Sequence, residues 1–153
     1  MSPRILLPAL LALAAALAQN EPKPEKADLP YLKHATTLIA TEAVAARQEK
    51  HGSGTRYIIA GANSAARTPL AAPIFLFRSD KIAADSLELY HLELKGDHRE
   101  IEYSKNGPEA LRLVVTRLPG GNLYRVEAYE GQESGEYALR PRDSDTFFCF
   151  EIF

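Results

Sequence analysis

The segment Leu87–Tyr103, LELYHLELKGDHREIEY, alternates apolar and polar residues on both sides of a central Gly96-Asp97. A two-residue loop at that point sets Lys95 opposite His98, Glu93 opposite Glu100 and His91 opposite Glu102. One face then carries Tyr90, Leu92, Leu94, Ile101 and Tyr103, with Arg99 as its only charge. The other carries His91, Glu93, Lys95, His98, Glu100 and Glu102. Successive side chains of a strand point to opposite faces, so an antiparallel ribbon sorts the two sets. A helix, at about 3.6 residues per turn, mixes them. The apolar face has to be covered, which asks for more sheet from the rest of the chain.

The flanking sequence meets that need. Leu111–Leu118 and Leu123–Tyr129 enclose Pro119-Gly-Gly-Asn122, a strong turn, and read as a second hairpin. Glu136–Arg140 and Phe147–Phe153 flank a polar turn at Pro141–Asp145. In the last strand Phe148, Phe150 and Ile152 alternate with Phe147, Cys149 and Phe153, so both faces are apolar and the strand is expected at the centre of a sheet. Thr55–Ala60 and Pro73–Phe77 are further strands. Glu42–Lys50 has good helix formers but a poor apolar stripe; a strand paired with Thr55–Ala60 is the favoured reading over a helix. Lys81–Ser86 is a connector.

About seven to nine short strands with regular turns indicate an all-β antiparallel sandwich. Gly135-Glu136-Tyr137-Ala138-Leu139 resembles the Gly-x-Tyr-x-Leu opening of the penultimate strand of immunoglobulin-like domains. There the tyrosine closes a corner by hydrogen bonding, which gives Tyr137 a structural role. The cysteine and tryptophan that mark antibody domains are absent, so the resemblance implies architecture alone. The chain is also similar to small exported bacterial β-sandwich proteins of unknown function, which share an ARTPLAAP-like loop (Ala66–Pro73) and a GEYAL…FCF ending (Gly135–Phe150). That similarity brings no activity with it.

Residues 1–18, MSPRILLPALLALAAALA, place one cation before a Leu/Ala-rich core that ends in a small-x-small site. This is the layout of a secretory signal peptide, which predicts export to the periplasm or the medium and no membrane span after cleavage. Residues 19–30, QNEPKPEKADLP, mix prolines with charges and read as a flexible tether. Residues 31–153 form a single domain. The mature chain keeps about 135 residues, enough to bury a core without a metal or a disulfide.

Cys149 is the only cysteine, so no intramolecular disulfide forms. Its place among Phe147, Phe148 and Phe150 reads as a buried hydrophobe. A formal net charge of −2 for the whole chain, with no basic run, argues against nucleic acid as a partner.

The HExxH, GxSxG, SxxK and GxxxxGK patterns are absent. The best constellation is the polar hairpin face, where His91, Glu93, His98, Glu100 and Glu102 offer imidazole and carboxylate ligands for zinc, or facing glutamates for acid–base work. Against this stands the reading of a solvated face that keeps the sheet soluble. A flat exposed surface excludes no water, so the second reading is preferred. Asp143-Ser144-Asp145 has two carboxylates at calcium-loop spacing, but also the composition of an ordinary turn. His34 and His51 are expected at the surface without partners. Tyr57, Tyr90, Tyr103, Tyr124 and Tyr129 suggest either a stacking platform or core packing, with packing favoured by their alternation.

No cofactor and no catalytic residue is expected. The sequence therefore reads as an exported, non-catalytic binding or accessory module of the cell envelope, its partner an unknown envelope or extracellular protein. The alternatives are a small secreted metal-dependent protein or enzyme using the His91/Glu93/Glu100/Glu102 face, and an inhibitor of secreted hydrolases acting through the loop Ala65–Pro73.

Overall fold

A computed structural model describes residues 21–153; the expected signal peptide lies outside the described residues. In chain order the strands are β1 (Tyr31–His34), β2 (Thr37–Ala40), β3 (Glu42–Ala45), β4 (Arg47–His51), β5 (Gly54–Ala60), β6 (Arg67–Thr68), β7 (Ile74–Arg78), β8 (Leu87–His91), β9 (Glu93–Lys95), β10 (His98–Tyr103), β11 (Leu113–Arg117), β12 (Leu123–Ala128), β13 (Gly135–Pro141) and β14 (Thr146–Ile152). They build three sheets, ordered β11-β12-β7-β1-β2, β4-β5-β10-β9 and β3-β14-β13-β8, with β6 beside the end of β14. Pairing is antiparallel except for β6 on β14.

Fourteen strands among the described residues exceed the seven to nine expected because two long runs are bent into two strands each and because β1, β2 and the short β6 add three more. Ala46 breaks Glu42–His51 and gives its N–H to Asp145 O at 2.9 Å; Leu92 breaks Leu87–Lys95 and gives its N–H to Glu136 O at 2.8 Å. Each run starts as an edge of the β14/β13 sheet and ends as an edge of the β5/β10 sheet. These two sheets are thus joined along both sides by strands that change sheets at a bend. The bend at Ala46 also settles Glu42–Lys50: it is strand throughout, but only its second half pairs with β5, while the first half pairs with β14.

The β14/β13 sheet is the middle layer. Toward the β5/β10 sheet it presents Ala138, Phe147 and Cys149, which pack with Ile59, Ile101, Tyr90 and Leu92. Toward the β7/β12 sheet it presents Tyr137, Leu139, Phe148, Phe150 and Ile152, which pack with Leu32, Phe75, Phe77 and Val126. This is why the last strand is apolar on both faces: two interiors meet on it. β14 is central, with β13 on one side and β3 and β6 on the other. The Tyr137 hydroxyl donates to Glu133 O at 2.8 Å.

The segment read as a tether is a strap from Glu21 onward. Pro24 and Pro30 are buried. Glu21 pairs with Lys33 at 3.2 Å, Lys26 N–H bonds the Tyr31 hydroxyl at 3.1 Å, and Arg78 donates to Glu25 O at 2.9 Å. By register Tyr31, Lys33, Leu76 and Arg78 share the outer face of the first sheet, and Leu76 there is fully buried. Asp28 then accepts the N–H groups of Asp80, Lys81 and Ile82 at 2.9–3.0 Å. Charge and proline content suggested slack; the prolines instead fit the extended path of a covering segment.

Candidate functional site

The bend at Leu92 decides the fate of the predicted constellation. The hairpin register holds from Lys95/His98 through Glu93/Glu100. It fails at His91, because β8 leaves to pair with β13 and sets His91 opposite Tyr137 rather than Glu102. The rings of His91 and Tyr137 lie 4.9 Å apart. Glu102 instead meets His51, a histidine expected to stand alone, with Nδ1 2.9 Å from Oε1. That bond, helped by Arg56, holds the Glu102 carboxyl below its ordinary value.

The remaining carboxylates are paired as well. Glu93 lies 3.4 Å from Lys95, and Glu100 lies 3.0 Å from His98 Nε2 and 3.9 Å from Arg56. Four of the five candidate ligands are thus held in ion pairs, and the fifth, His91, packs on Tyr137. Among the described residues no three His, Cys, Asp or Glu side chains converge to hold a metal. In the last turn Asp143 takes the left-handed backbone at φ 61 and Ser144 N–H bonds Pro141 O at 3.0 Å, which is turn chemistry.

Two open grooves flank the crossing segment, and His91 and Glu93 border both. One, of about 570 Å³, runs between Leu92–Lys95 and Gly135–Glu136, with Asn63 and Glu151 at its sides. Leu94, expected in the core, lies in this groove and is 56% exposed, because the three-residue β9 continues beyond the bend that buries Leu92. The other groove, of about 470 Å³, is walled by Glu93, Glu100, Glu102 and Glu109 with Tyr90 and Pro108. Gly135 lets the His91 ring sit close: a Cβ there would stand 3.0 Å from its Nε2.

Behind the first groove is a cluster the sequence did not assemble. Arg99, the single charge on the predicted apolar face, is fully buried. Its guanidinium donates to Gly61 O at 2.8 Å, Ser64 Oγ at 2.7 Å, Glu42 Oε1 at 3.0 Å and Ala60 O at 2.8 Å. Glu136 lies 3.8 Å from it and accepts the Ser64 N–H, while its second carboxylate oxygen is buried without a hydrogen-bond partner. Burial raises the Glu136 carboxyl above its ordinary value, against the pull of Ser64 and Arg99. The available signal was the lone arginine itself, since a buried guanidinium demands carboxylates on the facing strands.

A second buried arginine closes the other end of the same interior. Arg140 donates to the Tyr57 hydroxyl at 3.0 Å and lies over the rings of Tyr103 and Tyr57 at 4.5 and 4.6 Å. These tyrosines therefore pack inside, as their alternation indicated; Tyr129 alone of the five is largely exposed, its ring stacked under Arg112. Cys149, in the same interior, is fully buried. The loop considered for hydrolase inhibition is pinned at its start, since Arg67 and Thr68 pair with Glu151 and Ile152 and Ala66 is buried, while Pro69, Ala71 and Ala72 are exposed. No protein-family model, curated protein or solved structure matches the chain.

Proposed function

We propose that this protein is an exported β-sandwich, immunoglobulin-like in its tyrosine corner, that serves the cell envelope as a binding or accessory module rather than as a catalyst. One observation carries the reading: three of the carboxylates that line the two grooves are already paired with a neighbouring base, in Glu93–Lys95, Glu100–His98 and Glu102–His51. A catalytic centre keeps groups free to meet developing charge in a site that excludes water. Here open grooves bordered by these ion pairs and an exposed Leu94 offer a surface to a partner. Export rests on the signal-peptide pattern of residues 1–18.

The test places a photo-crosslinking amino acid at position 94, in the groove, and at position 85, at the opposite end of β8, in protein taken from its own exported fraction. A discrete protein adduct from position 94 and none from position 85 supports the module. A hydrolytic or transfer activity that His91→Ala abolishes, with no adduct from position 94, overturns it.

A further inference from the structure

The bent runs β3–β4 and β8–β9 bridge the β14/β13 and β5/β10 sheets, whereas among the described residues the β11-β12-β7-β1-β2 sheet ends in two strands, β11 and β2, that pair with no other sheet. Unprotected edges are templates for pairing, and proteins usually guard them with proline, lysine or a bulge. β11 reads Leu113-Val-Val-Thr-Arg117 and has no such guard before its last residue. Val114 and Val115 are 38% and 36% exposed.

We propose that β11 is a self-association edge on which a second copy of this chain docks antiparallel about Val115. The hydrogen-bond phase of the strand supports this. Tyr129 N–H bonds Arg112 O, and Leu118 N–H bonds Leu123 O. The pairs Arg112/Tyr129, Val114/Glu127, Thr116/Arg125 and Leu118/Leu123 are therefore the hydrogen-bonded ones. The main-chain groups of Leu113, Val115 and Arg117 face outward. A two-fold axis at Val115 lets that residue exchange both bonds with its counterpart, and lets Leu113 do the same with Arg117 of the second copy.

Side chains select the same register. Val115 meets Val115, continuing the apolar layer behind Val126, and Val114 meets Thr116, both β-branched pairs that suit adjacent strands. The two Arg117 side chains fall at opposite ends of the ladder. A slip of two residues toward the C-terminus would set Leu113 opposite Pro119, which has no N–H to give, and a slip of four would set the two Arg117 face to face with like charges opposed. A slip the other way would require Leu111, whose N–H is already bonded to Leu89 O. The contact is isologous and closes at two copies, whereas β11 on β2 of the next copy would run head to tail without closing. A five-residue ladder is small for an interface, so the dimer dissociates on dilution.

Sedimentation equilibrium of the mature protein from micromolar to millimolar concentration tests this. The expected result is a monomer that doubles in mass across the range. Val115→Pro removes an N–H that no bond within one copy uses and that an edge strand tolerates losing; it keeps the wild-type melting profile and stays monomeric throughout. Should the proline variant not fold, Val115→Lys opposes two ammonium groups at the axis and is expected to abolish the dimer likewise. A wild type that is monomeric throughout, open-ended growth beyond two copies, or a dimer that survives the folded variant overturns the proposal.

Discussion

Arg99 on β10 and Glu42 on β3 meet across the interior of the fold, Nη2 to Oε1 at 3.0 Å, although they belong to different sheets. The pair, with Glu136 3.8 Å away on β13, ties the two sheets together at the end where Gly61 and Ser64 complete the guanidinium's bonds. Arg99→Met leaves two carboxylates facing a desolvated space. The expected loss is about 3–5 kcal/mol, the range for removing one partner of a buried ion pair. Urea unfolding of wild type and variant, compared at matched m-values, measures it.

Glu136 gives the fold a pH dependence of defined sign. Burial raises its native carboxyl above the ordinary 4.5, so between that value and the raised one the native state holds a proton that the unfolded chain has lost. Stability from this group is present below 4.5 and declines as pH rises through the raised value. Glu136→Gln cannot lose that proton. Its stability relative to wild type should climb across this window and level off above it. A constant difference at every pH would contradict the assignment.

Gly54 opens β5 where that strand presses on β10. A Cβ at this position would stand 2.6 Å from Tyr103 O, a backbone atom that moves only with its strand. Gly54→Ala is expected to cost about 1–3 kcal/mol, as overpacking does, read as a lower denaturation midpoint.

Burial pushes the Cys149 thiol up to about 12, and thiolate is the reactive form. Native protein should therefore react with an aromatic disulfide reagent only as fast as it opens, and quickly once unfolded in guanidinium. Rapid labelling of the folded protein would place the thiol elsewhere than in the β13/β14 core.

Deletion of Phe148–Phe153 removes the strand on which both interiors meet. Phe148, Phe150 and Ile152 each contribute ~1.5–3 kcal/mol of burial, together comparable with the whole net stability of a domain, about 5–15 kcal/mol. The truncated chain should show neither a cooperative melt nor dispersed amide resonances.

The strand pattern was legible because burial on one face writes period two into a sequence, and burial on both faces writes a continuous apolar run such as Phe147–Phe150. The turn at Gly96-Asp97 likewise fixed the register for the three pairs nearest to it. What alternation does not record is a bend. Ala46 and Leu92 keep their places in the period-two pattern while the strand changes sheets, so His91 could not be separated from Glu102 by reading alone. The candidate site was illegible for the same reason: Arg99, Glu42, Ser64 and Glu136 are brought together by the joining of two sheets. Charge and proline content misled at residues 21–30, because a covering segment and a slack one share that composition.

The strap over the outer face changes where this molecule can be cut. An expression boundary drawn at Tyr31, where alternation begins, would strip the cover from Leu76 and Tyr31 and remove the carboxylate of Asp28 that holds Asp80–Ile82. Such a product would retain every strand yet leave Tyr31 and Leu76 uncovered on the outer face, with Lys33 and Arg78 stripped of their partners in the strap. The independently folding unit therefore starts no later than Glu21, and affinity tags belong upstream of it.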